Sequence, residues 1–443
     1  MLSILSDLST NWISLIILLT VIGIVWIFDR KNFKREGIMF LRRTDKGLKF
    51  IDNFAKKHTS ALKTFGTFGI IFAFGALGAG YVYKTEKKKN PVAKTLTVLA
   101  VLLIIVYLMN FRTVYALSGA LLGASGFVVF QLVEGVVNIF LEPGAASQMQ
   151  FVLPIQTTSA PVFYVPIDYW LISIFVLLIV HEFSHAFVSR AEGIKVNSLG
   201  YGFMAVIPLG FAEPDEKQLK KTESIKKSRI FSAGSFSNII AAIISVILLT
   251  GTVFAVTVMY TTDGVRYGTV VSGSPAQAHL PHNGTINEIN GKKIRGTNEL
   301  AAVMDNVSEG SEISILVDGK VYSLKTAADP KNSTRAFMGI SNLENVIVAK
   351  ENYSGFASSA LASVLLYFLS LFKWLFLLNL GIGLFNLLPI KPLDGGLIFE
   401  EIIKCHWPKS WKSIYSAVAT TTFGLILFNL FGVYFVRTIF SVV

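Results

Sequence analysis

The chain has 443 residues, 52% hydrophobic and only 15% charged, with a mean hydropathy of +0.58. Soluble domains carry about 25% charged residues, so a wholly water-soluble protein is excluded. The net charge of +12 does not point to nucleic acid, because the Lys and Arg gather beside hydrophobic spans, and the single Cys405 excludes an intrachain disulfide or a multi-cysteine metal site.

Windows that reach or approach the ~20 apolar residues needed to cross a bilayer recur along the chain. The first, Trp12–Phe28, is followed by "FDRKNFKRE" and not by a small-residue cleavage site. That pattern predicts a retained membrane anchor, not a signal peptide. Between Asp29 and Lys63 lie eleven Lys or Arg, the mark of a cytoplasmic segment. A Gly-rich window, Phe65–Tyr83, and then Thr95–Met109 and Thr113–Val133 follow. A second basic cluster, Lys217–Arg229, shares the inner side with the first if four spans separate them, the fourth being Ile167–Val188. The four lysines of "KTEKKKN" (Lys84–Asn90) object to that count, since they would then lie outside. The alternative is that Phe65–Tyr83 does not cross at all, which leaves the N-terminal topology open.

The span Ile167–Val188 ends unlike the others. After eleven uncharged residues, Trp170–Val180, it carries His181, Glu182 and His185. Ionisable groups at membrane depth are costly and tend to mark function. Histidines four apart share a helix face. Two such imidazoles can hold one Zn²⁺ while the intervening Glu reaches a water on it. The bland alternative is a helix end at the headgroup level with its polar groups facing water.

Ile230–Met259 predicts a further span, leading outward by the same parity. Thr261–Asn352 then changes character. Short apolar runs (Gly268–Val271, Thr285–Ile289, Glu312–Val317, Val321–Lys325) are bounded by Gly, Pro, Asn and Asp, and Glu299–Val307 has helical spacing. This predicts a water-exposed α+β module of about 90 residues. Its "GSPA" turn and "INEINGKKI" strand-turn-strand resemble a PDZ domain, which adds a peptide strand to a sheet edge. All four N-x-[ST] sequons (Asn283, Asn306, Asn332, Asn352) fall here, in keeping with an external location.

The span Ala357–Leu388 runs into "LFNLLPIKPLDGG". Pro389 and Pro392 break the helix, which is tolerable at membrane depth only where freed backbone lines a protein-walled or wet cavity. Asp394, at that broken end, is a candidate third metal ligand; read alone, "PLDG" is better taken as a membrane-exit turn, and beside HExxH in the same chain the ligand reading is the better one. Thr420–Phe440 closes the series of spans.

Three motifs in order, "HEFSH", "SAGSFSNIIAA" (Ser232–Ala242) and "FNLLPIKPLDGG" (Phe385–Gly396), resemble the site-2 protease family of intramembrane zinc metalloproteases. The resemblance covers His181 to about Gly396. It implies a three-helix core, with His181, His185 and Asp394 as zinc ligands and Glu182 as general base. Asn238 matches a polar residue thought to contact the substrate backbone or oxyanion, and "GFAEPDE" (Gly210–Glu216) matches a loop beside the active site. Two residues depart from the family pattern: Ser235, where a proline often follows "AG", and Lys391, a charge in a usually apolar run. The implied partners are membrane-spanning protein substrates, the lipid bilayer and a peptide ligand of the PDZ-like module.

The expected fold is a polytopic α-helical membrane protein of about 7–8 transmembrane helices with an inserted small α+β PDZ-like domain. The divisions are an N-terminal transmembrane region (1–162), two parts of a catalytic core (163–260 and 353–443) and the PDZ-like domain (261–352) between them. The site is expected near the cytoplasmic face of a multi-pass protein, with the PDZ-like domain outside. Rival readings are a silent scaffold or escort of the same fold and a zinc transporter. A prenyl-protease-like ligand set would use Glu192, which stands too near His185 in sequence.

Overall fold

Long apolar segments in lipid have no water to satisfy their backbone, so they must bond internally as helices. Among the described residues, seven helices are long and apolar enough to cross a membrane. The computed structural model describes residues 2–86, 113–141, 149–157, 161–204, 207–329, 332–353 and 356–440. The predicted span Thr95–Met109 and most of "KTEKKKN" fall outside these residues. Contacts divide the chain into one unit of Met1–Ile247 with Ser370–Val443, and a second of Leu248–Leu369.

The first unit opens with α1 (Leu2–Asp29), the hairpin β1 (Phe33–Glu36) and β2 (Met39–Thr44), and α2 (Leu48–Lys57). Next come α3 (Thr59–Thr85), α4 (Thr113–Leu141) and a short parallel pair, β3 (Phe151–Leu153) with β4 (Val162–Tyr164). Helix α5 (Ile167–Ala191) leads to β5 (Val196–Met204), β6 (Ile207–Pro214), α6 (Glu216–Lys221) and α7 (Ser224–Met259).

Helix α3 does not run straight. At Phe74 and Gly75 its dihedrals leave the helical region, Gly75 having φ 52°, a conformation that costs glycine nothing. The chain then folds back: a Cβ on Gly78 would lie 2.6 Å from the carbonyl oxygen of Ile70. Arg229 of α7 donates to Thr67 at 2.9 Å and to Glu86 at 2.7 Å. Nineteen residues of straight helix would hold those two partners roughly 28 Å apart. The window Phe65–Tyr83, apolar enough to span, is therefore a helical hairpin with both ends on one side. Its tip meets α4 backbone to backbone, where Gly123 also has a positive φ of 64°.

The ends of the two basic clusters meet at Glu192, which pairs with both Lys63 and Arg229. Asp52 pairs with Arg190, Lys63 with Glu192, and Glu86 with Arg229. The returning arm also brings Glu86 to Arg229, so this window does not count as one of the four crossings expected between the clusters. Strands also appear where sequence reading places only a basic loop. The antiparallel order β1-β2-β5-β6 joins residues 33–44 to residues 196–214. Gly210–Pro214, expected in a loop, belongs to β6.

The second unit carries β7 (Tyr260–Val270), α8 (Pro275–His279), β8 (Gly284–Ile289), β9 (Lys292–Lys293) and α9 (Thr297–Met304). It continues with β10 (Glu312–Val317), β11 (Lys320–Lys325), β12 (Ala327–Asp329), β13 (Asn332–Phe337) and β14 (Ile340–Ala349). The main sheet runs β11-β10-β8-β7-β14, with β9 paired to β8. Two tight turns fix the register: Asn290-Gly291 and Asp318-Gly319 all have positive φ, as two-residue hairpins require. Tyr267, Ile286, Ile289, Ile313 and Ile315 fill its core. The predicted α+β character holds, with β7 longer than expected.

The chain returns to the first unit in α10 (Phe356–Phe385), then α11 (Asp394–His406) and α12 (Trp411–Phe440). Asn429 of α12 donates to the Leu132 carbonyl of α4 at 2.8 Å. The α3 hairpin packs on α11 through Phe74 against Phe399, with Ile398, Ile402 and Ile403 beside them.

Candidate metal centre

His181 and His185 leave α5 from one face, their Nε2 atoms 3.1 Å apart. Nδ1 of His185 donates to the Ile230 carbonyl of α7 at 2.7 Å. That bond fixes the ring hydrogen on Nδ1 and turns the Nε2 lone pair inward. Nδ1 of His181 lies 3.1 Å from Nδ2 of Asn238, while the buried Oδ1 of that amide has no hydrogen-bond partner. If His181 carries its hydrogen on Nδ1, the amide oxygen is the atom that accepts it. One turn of the Asn238 amide satisfies that nitrogen and frees the amide N–H groups.

The third group arrives because α10 cannot continue through Pro389 and Pro392. The Gly395 N–H donates to the Asn386 carbonyl at 2.8 Å, folding the chain tightly and placing Asp394 at the first position of α11. Its Oδ2 lies 3.4 Å from Nε2 of His181 and its Oδ1 3.5 Å from Nε2 of His185. All three ligand atoms lie within 4.8 Å of one another, the one such group among the described residues.

These residues fit a zinc ion. Two nitrogens and one oxygen are the ligand types zinc takes in catalytic sites that keep an open position. Inward lone pairs so close together repel unless a cation lies among them. Gly234 closes another side, where a Cβ would stand 2.3 Å from Nε2 of His185 and 2.6 Å from Nε2 of His181. Any larger residue would fill the space that the three groups share.

Glu182 stands beside this cluster, not in it. Its Oε2 accepts the backbone N–H of Ala212 at 3.0 Å, and Ala212 lies on β6, at the edge of its sheet. Glu182 also lines an apolar groove of about 590 Å³ between α1, α5 and β5–β6, with Leu18, Ile22, Phe175, Leu178 and Leu209 among its walls.

The structure thus brings His181, His185 and Asp394 together, with Glu182 and Asn238 adjoining. Glu192 is not among them; its buried carboxylate pairs with Arg229 at 3.1 Å. Lys391 points its charge elsewhere, pairing with Glu400 and lying over the Tyr415 ring. Ser235, noted only as a departure, donates to Oδ2 of Asp394 at 2.6 Å. Sequence reading gave Gly234, Ile230 and Ala212 no role. The first lies in the small-residue run "SAGS", a legible signal for close helix approach; the other two act through backbone atoms and leave no such trace.

The sequence model of peptidase family M50 matches residues 169–430. An uncharacterised protein of Methanocaldococcus jannaschii is 28% identical over 243 residues, 53% of this chain and 59% of that protein. A Clostridium perfringens protein named as a candidate zinc metalloprotease is 25% identical over 321 residues, 57% of this chain and 92% of its own. A homologue of the membrane-bound transcription factor site-2 protease in Arabidopsis thaliana is 27% identical over 164 residues, 35% of this chain and 30% of that protein.

Proposed function

The chain belongs to peptidase family M50, the site-2 protease family, and from that premise we propose that it hydrolyses peptide bonds within membrane-spanning segments of other proteins. It is a multi-pass membrane protein of metalloprotease type. The observation that carries the finer reading is the His181, His185 and Asp394 cluster with Glu182 between it and an apolar groove.

In this reading His181, His185 and Asp394 hold the ion. Bound zinc supplies Lewis acidity, polarising the scissile carbonyl and lowering the pKa of a water toward ~7. Glu182 takes the proton from the attacking water and returns it to the leaving amine. Asn238, with its N–H groups free, donates to the developing oxyanion. A peptide bond within a helix is shielded, so the substrate unwinds first, most easily at Gly, Pro or Asn. An extended segment can then add to the outer edge of β6, which pairs with no further strand among the described residues, and pairing there brings its backbone past Glu182. The apolar groove accommodates its side chains.

The basic clusters gathered around Glu192 and Arg229, a short step beyond His185, support a site near the cytoplasmic face. The β-rich second unit is proposed as a PDZ-like, extracytoplasmic module that binds a peptide strand. The test is zinc content and cleavage of a model transmembrane substrate in detergent, for wild type and Glu182→Gln. Zinc in both with cleavage only in wild type is the expected result. Normal turnover by Glu182→Gln overturns the assignment. Absence of cleavage in either protein, with substrate retained on the column, favours the escort reading.

A further inference from the structure

We infer that Ser235 is a positioning residue that holds the Asp394 carboxylate in its ligating orientation, an inference that rests on the metal-centre reading above. Ser235 lies on α7 and is fully buried, at 0% exposure. Its Oγ donates to Oδ2 of Asp394 at 2.6 Å, within the range of hydroxyl-to-carboxylate bonds, which are shorter and stronger than neutral ones.

The bond matters because of where Asp394 stands. It is the first residue after a broken turn, and its side chain would otherwise rotate about two bonds. Among the described residues, Ser235 supplies the hydrogen bond to this carboxylate, while the two imidazoles approach it through Nε2 at 3.4 and 3.5 Å. By engaging Oδ2 it fixes the plane of the carboxylate and leaves Oδ1 as the oxygen without another neutral donor.

One face of α7 repeats this arrangement for every member of the cluster. Ile230 accepts from His185, Ser235 donates to Asp394, and Asn238 meets His181. Gly234, on the same face, leaves the room for all three. Positions 230, 234, 235 and 238 fall on one stripe at 3.6 residues per turn. The three groups come from α5 and α11, so α7 acts as a template that meets each from outside. A proline at 235 would keep the helix close but offer no donor. The serine therefore adds a contact to Asp394 that such a residue could not make.

Outer contacts of this kind are worth roughly 10–100-fold in metal affinity. The full-length protein in detergent, stripped of metal, is titrated with Zn²⁺ against a chromophoric chelator. Wild type, Ser235→Ala, Ser235→Thr and Asp394→Ala are compared, and the melting temperature of each metal-free protein is recorded. Ser235→Ala is expected to bind zinc about tenfold or more weakly with an unchanged metal-free melting temperature, and Ser235→Thr to recover most of the affinity. Two results overturn the inference. One is wild-type affinity in Ser235→Ala. The other is a loss of affinity that comes with a lowered metal-free melting temperature and is not repaired by Thr. Failure of the metal-centre reading looks different: wild type takes up no stoichiometric zinc, or Asp394→Ala binds zinc as wild type does.

Discussion

At Gly234 a Cβ would lie well inside contact distance of both Nε2 atoms, so the side chain cannot be accommodated unless α7 backs away or the imidazoles swing out. Gly234→Ala should therefore lose stoichiometric zinc, measured by metal analysis after gel filtration, while the metal-free protein keeps its helical content. The two roles proposed for Asn238 separate experimentally. As the neighbour of His181 it should cost about 10–100-fold in zinc affinity when replaced by Ala. As an oxyanion donor it should cost a further ~10²-fold or more in kcat at saturating zinc. Zinc titration and single-turnover cleavage measured on one preparation distinguish the two. A kcat equal to wild type at saturating zinc would leave Asn238 as a positioning residue alone.

Among the elements, the α3 hairpin stands out because the matched family region begins only at residue 169. It nonetheless touches α5, α7 and α11, the helices that carry or frame the candidate metal ligands. Arg229 ties them together, bonding Thr67, Glu192 and Glu86. The Glu192 side chain has 0% exposure, so removing Arg229 leaves a buried carboxylate with the partly exposed Lys63, at 3.7 Å, as its remaining partner. Arg229→Ala should destabilise by about 3–5 kcal/mol. Adding Glu192→Gln to that variant should recover part of the loss, as read from thermal unfolding in detergent. A single variant as stable as wild type would rule out the clasp. Strand β6 has its own test. Ala212→Pro removes the N–H that reaches Glu182 and blocks pairing along the edge, so cleavage should fall with zinc content unchanged.

Across the whole molecule, the N-terminal hairpin and the strand beside Glu182 are joined by Arg43, which bonds both Glu36 and Glu213. The hydrogen bond from Arg43 is the main reason Glu213 titrates below its usual 4.5, with Ser198 adding to it against the effect of burial. A folded-state pKa lowered in this way contributes stability above that usual value, and the contribution disappears as pH falls through the lowered one. The difference in melting temperature between wild type and Glu213→Gln should accordingly be largest near neutral pH and shrink below about pH 4. Zinc gives a second whole-molecule readout. A ligand that binds only the folded state stabilises it by about 4 kcal/mol at a thousandfold excess over Kd. Chelation should therefore lower the melting temperature of wild type and leave Asp394→Ala unmoved.

The sequence by itself determined what depends on short spacings. HExxH puts two imidazoles and a carboxylate on one helix, because helical geometry fixes residues four apart on a shared face. Asn-Gly and Asp-Gly set the hairpins of the second unit, because only certain residues accept positive φ. Long apolar windows dictate helices, because lipid offers the backbone no partner. Tertiary structure alone decided what joins distant segments. The apolar window Phe65–Tyr83 looks like a crossing, and its reversal at Gly75 is held by Arg229, more than 150 residues away. Charge masks the pattern of strands 33–44, and the sheet is completed only by their pairing with residues 199–204. Lys391 reads as a charge in an apolar run until Glu400 and Tyr415 take it up. The stripe on α7 that clasps all three candidate ligands exists only because two other helices meet it, a matter of packing that no local spacing records.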